Sequence, residues 1–201
     1  MRSATTSYHG RVKVTHIERT PNPLALMFRV DEPLLAAGAE VYASTNDALR
    51  DSMATAIFAT GAVTELYVTP EFATVTKTAD ADWLPLRRRV REVLEATEPA
   101  VRVVEPGTSD KPRLRPGSRI PVEGPEAEML SRILVVLEQT IMPALAGDGG
   151  GLEVLGFENR VLTIRYQGAC GTCPSSAAGT LDAIRRMLRQ GVDPDIEVVP
   201  A

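Results

Sequence analysis

The sequence predicts an α+β protein: two small α+β domains joined by a Pro/Gly-rich linker. Three observations predict it. Residues 105–125, EPGTSDKPRLRPGSRIPVEGP, interrupt the chain with five prolines and three glycines. On either side, stretches of period-two alternation stand beside stretches whose apolar residues recur every three or four positions. A length of 201 residues, 44% hydrophobic and 24% charged, suits two small globular units. The expected limits are 1–104 for the first domain, 105–125 for the linker and 126–201 for the second domain. Proline removes backbone donors and biases its predecessor to extended conformations, so neither a continuous helix nor a central strand fits the linker.

In the first half, alternation over Arg11–Ile17 predicts a strand, and Thr20-Pro21-Asn22-Pro23 a turn before a second strand at Leu24–Val30. Asp47–Thr60 reads as one helix with Leu49, Met53, Ile57 and Phe58 on one face, Asn46 as its N-cap and Gly61 as its stop. Val63–Thr69 and Phe72–Thr78 alternate about Pro70-Glu71 and predict a hairpin. A helix over Asp82–Thr97 is expected to bury Trp83, Leu86, Val90 and Leu94.

After the linker, Leu130, Ile133, Leu134, Leu137, Ile141 and Leu145 recur at helical spacing, with Pro143 placed to kink the last turn. The glycine-rich run 147–151 ends that helix. Leu152–Phe157 and Val161–Gln167 predict a hairpin about residues 158–160. A helix over Ser175–Gln190 should turn Leu181, Ile184 and Leu188 inward and Arg185, Arg186 and Arg189 outward. A short strand at Ile196–Val199 completes the order α-β-β-α-β.

Bulk properties exclude several classes. A net charge of −4 gives no long-range attraction to nucleic acid or to an anionic membrane, and neither is expected as a partner. No apolar run approaches the ~20 residues of a membrane helix. The first residues carry Arg2, Arg11 and Lys13 and no acid before Glu18, as transit peptides do, but the strand pattern begins by Val12. A cytoplasmic protein is expected. No nucleophile–base constellation is visible, and the glycines at 147–151 follow a helix and precede a strand, the reverse of a phosphate loop. The protein is not expected to be an enzyme.

The chemistry concentrates at Gly168-Ala169-Cys170-Gly171-Thr172-Cys173-Pro174-Ser175-Ser176, which holds the chain's two cysteines. A disulfide framework would use more cysteines, spread to close long loops. A spacing of two residues lets both sulfurs face one point, as metal sites require. Gly168 and Gly171 permit unusual backbone angles and bring amides close. Pro174 suits the first turn of a helix, whose unpaired N–H groups and positive dipole end favour thiolate. Two thiolates do not fill a four-ligand site. His9 and His16 lie at the other end of the chain, and a carboxylate from Asp148 is a poorer partner for soft iron–sulfide sites. A second copy of the same pair completes it most economically.

The region Ile141–Met187 resembles the C-terminal domain of NifU and the Nfu-type iron–sulfur carriers. The resemblance is carried by Asp148-Gly149-Gly150, Gly156-Phe157-Glu158, Gln167-Gly168 and the run from Cys170 to Ser176. The first half resembles the domain that precedes it in mitochondrial-type Nfu proteins, through Thr20-Pro21-Asn22-Pro23, Phe72, Thr74-Val75-Thr76-Lys77 and Trp83. The resemblance implies a 4Fe–4S cluster bridging two subunits, bound by Cys170 and Cys173 and passed to apoproteins. It further implies a homodimer in the cluster-bound form, apo iron–sulfur client proteins and a cluster donor as partners, and partner recognition by the first domain. Gly151 departs from the family, where an acid commonly follows Asp-Gly-Gly; the expected effect is a looser turn or a lost surface charge.

Two other readings share the cysteine pair. A CxxC at a helix start is also the mark of thioredoxin-like redox proteins, although that fold needs more strands and helices after the motif than remain here. Zinc held by the same four thiolates across a dimer has similar geometry. Arg87-Arg88-Arg89-Val90-Arg91 invites a nucleic-acid reading, but Arg88–Glu92 and Arg91–Glu95 have i,i+4 spacing and predict a solvated face. Arg185, Arg186 and Arg189 are expected to do the same, or to screen an anionic cluster or an acidic client. Trp83 and Met187 are expected in the cores, and Asp148 in a turn.

Overall fold

A computed structural model describes residues 10–100, 121, 123–171 and 174–201, without the side chains of 174–178. The expected linker therefore lies almost wholly outside the described residues. The chain divides into two compact units, Met1–Thr108 and Ser109–Ala201.

In the first unit, β1 (Val14–Arg19), β2 (Ala25–Val30), β3 (Glu40–Tyr42), β4 (Val63–Val68) and β5 (Phe72–Lys77) form an antiparallel sheet in the order β1-β2-β5-β4-β3. The β4–β5 hairpin is the expected one. The register of β1 on β2 shifts between Val14 and His16, a bulge that ends the simple alternation of the sequence. The three-residue β3 was not foreseen, being too short for its period to show. Helix α3 (Trp83–Ala96) is capped by Asp82, whose side chain accepts from the Leu84 N–H at 3.0 Å. Its Leu86, Val90 and Leu94 join Phe28, Ile57, Leu66 and Val75 in one core. On its outer face Arg88–Glu92 and Arg91–Glu95 pair at 3.0 and 2.9 Å, as their spacing predicts.

The helix expected over Asp47–Thr60 is two: α1 (Thr45–Ala48) and α2 (Ser52–Phe58). Asp51 takes an extended conformation and accepts from the Ala54 N–H at 2.8 Å, so a new helix begins where the old was expected to continue. Short polar side chains offer the backbone this alternative. Ser44 rather than Asn46 caps the first piece. Leu49, displaced from the buried face, is 68% exposed. Trp83 is half-buried against the core, with Lys77 Nζ 5.9 Å from its ring centroid.

The second unit keeps the expected α-β-β-α-β order, but its first helix is interrupted. Helix α4 (Pro125–Val136) runs into a π-helical turn (Leu137–Ile141) and then α5 (Met142–Gly147). The Met142 N–H reaches Leu137 O, an i→i+5 bond. Pro143 explains it. Without an N–H it cannot serve the Gln139 carbonyl, and its ring crowds that carbonyl, so the turn before it widens. Pro125–Gly147 makes 23 residues long and apolar enough, by length and composition, to cross a membrane, which corrects the expectation of no such run. Its Leu130, Ile133, Leu137, Ile141 and Leu145 nevertheless lie in the core of this unit.

β6 (Gly150–Glu158) and β7 (Val161–Gly168) pair antiparallel about Asn159 and Arg160, both at positive φ (50° and 63°), the requirement of a type I′ turn. Helix α6 (Pro174–Gly191) then carries the chain to β8 (Glu197–Pro200), which pairs parallel to β7, a connection that needs a crossover of this kind. Ile184 and Leu188 of α6 are fully buried against Leu162, Ile164 and Val198. Two expectations for α6 are corrected. Met187 is 40% exposed and not core. Arg185 and Arg189 do not simply face solvent: they donate to the β8 carbonyls of Val198 (3.1 and 2.8 Å) and to Ile196 O (3.0 Å). Long aliphatic stems allow this while the charged ends stay partly solvated.

Candidate functional site

Cys170 sits in the turn that leaves β7 and precedes α6, and backbone constraints fix it from three directions. Gly168, at φ 64°, redirects the chain out of the strand, and the Gly171 N–H closes a turn on Gly168 O at 3.0 Å. The Ala169 N–H donates to Gly149 O at 3.2 Å, tying the turn to the Asp148-Gly149-Gly150 loop. Gly149, at φ 75°, shapes that loop. Gly150 then passes so close that a Cβ there would lie 2.7 Å from Cys170 Sγ and 2.8 Å from Gln167 O. On the other side, a Cβ at Gly171 would lie 3.1 Å from Tyr166 O. The glycines are thus a cradle made by missing atoms. Cys170 itself is 4% exposed and packs with the core of the unit.

Cys173 and Thr172 lie outside the described residues, as do the side chains of Pro174, Ser175 and Ser176. His9 does too; His16 is on β1 of the first unit. Asp148 caps α5, its N–H shared between Ala144 O and Leu145 O at 3.2 and 3.1 Å, which is the turn-shaping role expected of it. Gly151 lies within β6 opposite Gln167, so its departure from the family pattern falls in paired strand and not in the turn. Among the described residues no three His, Cys, Asp or Glu side chains converge on one metal position. Nearby, Gln167 Nε2 donates to the buried Glu153 Oε2 at 3.3 Å, with Arg165 3.7 Å from the same oxygen.

Tyr166 is the residue the sequence reading missed. It follows Leu162 and Ile164 at strand period, which puts a phenol on the core face of β7, opposite Leu152. That parity was the available signal. Its Oη is buried with no hydrogen-bond partner among the described residues. Burial raises its pKa to about 12, and negative charge at Cys170 adds to the shift, more strongly than Asp182, while Arg185 opposes it.

Two family models match the chain: the NifU-like domain over residues 133–199, and the scaffold protein Nfu/NifU N-terminal domain over residues 14–98. NifU-like protein 5, mitochondrial, from Arabidopsis thaliana is 30% identical over 185 residues, 89% of this chain and 64% of the relative. The human NFU1 iron-sulfur cluster scaffold homolog, mitochondrial, is 28% identical over 195 residues, 96% of this chain and 73% of the relative. The chain spans 64% and 62% of the two Arabidopsis relatives it matches. Of solved structures, a NifU-like protein from Saccharomyces cerevisiae is 24% identical and covers 49% of this chain and 93% of its own, with a TM-score of 0.40. The Arabidopsis and human relatives are named as mitochondrial proteins, which overturns the cytoplasmic expectation. The strand pattern beginning by Val12, on which that expectation rested, reports how the chain folds and carries no address.

Proposed function

Because this chain belongs to the Nfu/NifU family, we propose that it is an iron–sulfur cluster scaffold and carrier, not an enzyme, whose cargo is held by Cys170 and Cys173. One observation carries the reading: the turn that follows β7 sets Cys170 against Gly150, where a Cβ would lie 2.7 Å from the sulfur. The fit is chemical as well as steric. A thiol is a soft donor, and α6 begins at Pro174, so first-turn N–H groups and the positive helix end lie beside the cysteine run.

Two thiolates per chain leave a cluster half-ligated, and a second copy supplies the rest. The cargo is accordingly a 4Fe–4S cluster bridging a homodimer, received from a cluster donor and surrendered to apo client proteins when their own cysteines displace these four thiolates. In this arrangement residues 126–201 hold the cargo, residues 1–104 recognise partners, and 105–125 connect the two. A dithiol redox role fits less well, because only one helix, α6, and one short strand, β8, follow the motif, fewer than a thioredoxin-like fold needs.

Anaerobic reconstitution with iron and sulfide tests the proposal, with metal, sulfide and mass measured together. The expected result is about four irons and four sulfides per dimer. Cys170→Ser and Cys173→Ser should each abolish retention while the far-UV spectrum stays unchanged. Full retention by either variant refutes the ligand assignment. Tight zinc without iron, or turnover in an insulin reduction assay, refutes the cargo.

A further inference from the structure

We infer that Arg185 and Arg189 seal the β8 edge of the second unit's sheet, so that a strand from another chain does not add to it. The order β6-β7-β8 leaves two edges. An open edge is a row of unpaired N–H and C=O groups, a template on which a further strand pairs. At β6 the backbone itself is covered: Gly151 and Gly156, which have no side chain, are buried. At β8 Glu197 and Pro200 are exposed and Val199 is half-buried.

The ladder fixes which β8 groups face outward. Glu197 N–H donates to Arg160 O and Ala201 N–H to Ile164 O, both at 2.9 Å, so residues 197, 199 and 201 face β7. Peptide groups alternate sides along a strand, which turns 196, 198 and 200 to the outer edge. Those are the residues the arginines serve. Arg189 Nε donates to Ile196 O at 3.0 Å, and Arg185 Nε and Nη2 both donate to Val198 O, at 3.1 and 2.8 Å. The match is geometric: α6 runs against β8, and four helical residues rise roughly 6 Å where two strand residues span roughly 6.6 Å. Donors on the edge are as sparse as acceptors. Ile196 N–H turns back to Asp193 O at 3.2 Å, and Pro200 has no N–H. An incoming strand meets one N–H, that of Val198, and one carbonyl, that of Pro200. To pair further it must displace charged donors, which bind a carbonyl more strongly than an amide does. None of this depends on what binds at Cys170. For a carrier that pairs through its cargo, a closed edge leaves loading as the event that joins two copies.

Arg185→Met/Arg189→Met keeps the aliphatic stems and removes the donors. Sedimentation of the full chain, kept free of iron and sulfide, measures mass across concentration, and amide exchange reads Val198. In the wild type the Val198 N–H should exchange faster than that of Val199, which lies in the ladder. The variant should gain mass at concentrations where the wild type does not, with Val198 becoming protected as mass rises. Arg186→Met removes the same charge from an exposed neighbour and should behave as the wild type. A double variant that keeps the wild-type mass throughout overturns the inference. Association that leaves Val198 unprotected does so too, since the chains then meet elsewhere or through unfolding. Equal association by Arg186→Met would make charge the cause and overturn it as well. If the double variant does not fold, Arg189→Met decides by the same readings, because it opens Ile196 O beside the Val198 N–H, one complete pairing step.

Discussion

Replacing Gly150 by alanine adds one methyl group at the point where β6 crosses Cys170. Its φ is not in the left-handed region, so alanine meets no backbone penalty there. Considered alone, the change would stabilise the chain by roughly 0.5–1 kcal/mol through lost freedom in the unfolded state. Sterics oppose it. The new Cβ would lie 2.7 Å from Cys170 Sγ and 2.8 Å from Gln167 O. The sulfur can swing aside, at the expense of its place in the cradle. The carbonyl belongs to β7, opposite Gly151 in the ladder, and moves only if the β6–β7 register gives. Overpacking costs about 1–3 kcal/mol; with two contacts under 3.0 Å, one of them to backbone, the upper part of that range applies, about 2–3 kcal/mol, so the net loss is about 1–2 kcal/mol. At about 4–8 °C per kcal/mol for a domain of this size, the melting temperature falls by roughly 5–15 °C.

Thermal unfolding of the full chain measures the loss, and hydrogen exchange should place it in β6–β7. Gly147→Ala is the control: its Cβ meets nothing within 4 Å and lies in the last turn of α5, so the same substitution should hold or raise stability. If Gly150→Ala melts with the wild type and leaves β6–β7 exchange unchanged, the cradle argument is wrong, whatever binds at Cys170.

Arg185→Ala removes the donor held by Val198 O at 2.8 Å and should cost about 1–2 kcal/mol in denaturant unfolding, with exchange quickened most in β8. An unchanged midpoint would mean that the guanidinium is only a solvated charge, as its sequence suggested. Tyr42 predicts an alkaline limit. Burial, then the charges of Asp51 and Glu40, raise its pKa to about 12, while an unfolded tyrosine titrates near pH 10. Between those values the folded state binds more protons than the unfolded, so stability is whole below pH 10 and falls as pH rises towards 12. Denaturant midpoints across that window should fall less steeply in Tyr42→Phe, and equal slopes would refute the assignment.

What the sequence disclosed follows the strength of its local signals. The hairpins about 70–71 and 159–160, helix α3 with its Arg–Glu pairs, and the α-β-β-α-β order all rest on periodicity repeated over several residues. The family was legible for a different reason: the cysteine run and Asp148-Gly149-Gly150 are short, fixed in order and tied to each other through the bond from Ala169 N to Gly149 O. The misses arise where one residue overrules a pattern. Asp51 starts a second helix inside a helical period, because one side-chain oxygen placed 2.8 Å from an amide outweighs the placement of Leu49. Pro143 acts on the turn behind it, which a periodicity reading cannot register. Met187 is exposed and Arg185 is partly covered because the path of β8 beside α6 decides which side of the helix is covered.

The candidate site is governed by what its residues lack. Gly150 and Gly171 have no Cβ, Pro174 has no N–H to lose at a helix start, and Tyr166 Oη has no partner among the described residues. In an ordinary core each would be a weakness: two glycines surrender packing area, and an orphan hydroxyl opposes folding. Brought together around one buried cysteine they have a common sense. Gly150 keeps a Cβ away from the sulfur, Gly171 keeps one away from Tyr166 O, and α6 begins just after the cysteine run. On the proposed reading, cargo offsets what the empty site gives up, and a carrier needs that balance. If the empty site were fully satisfied, loading would gain little; if the loaded site were stronger still, the cargo would not leave.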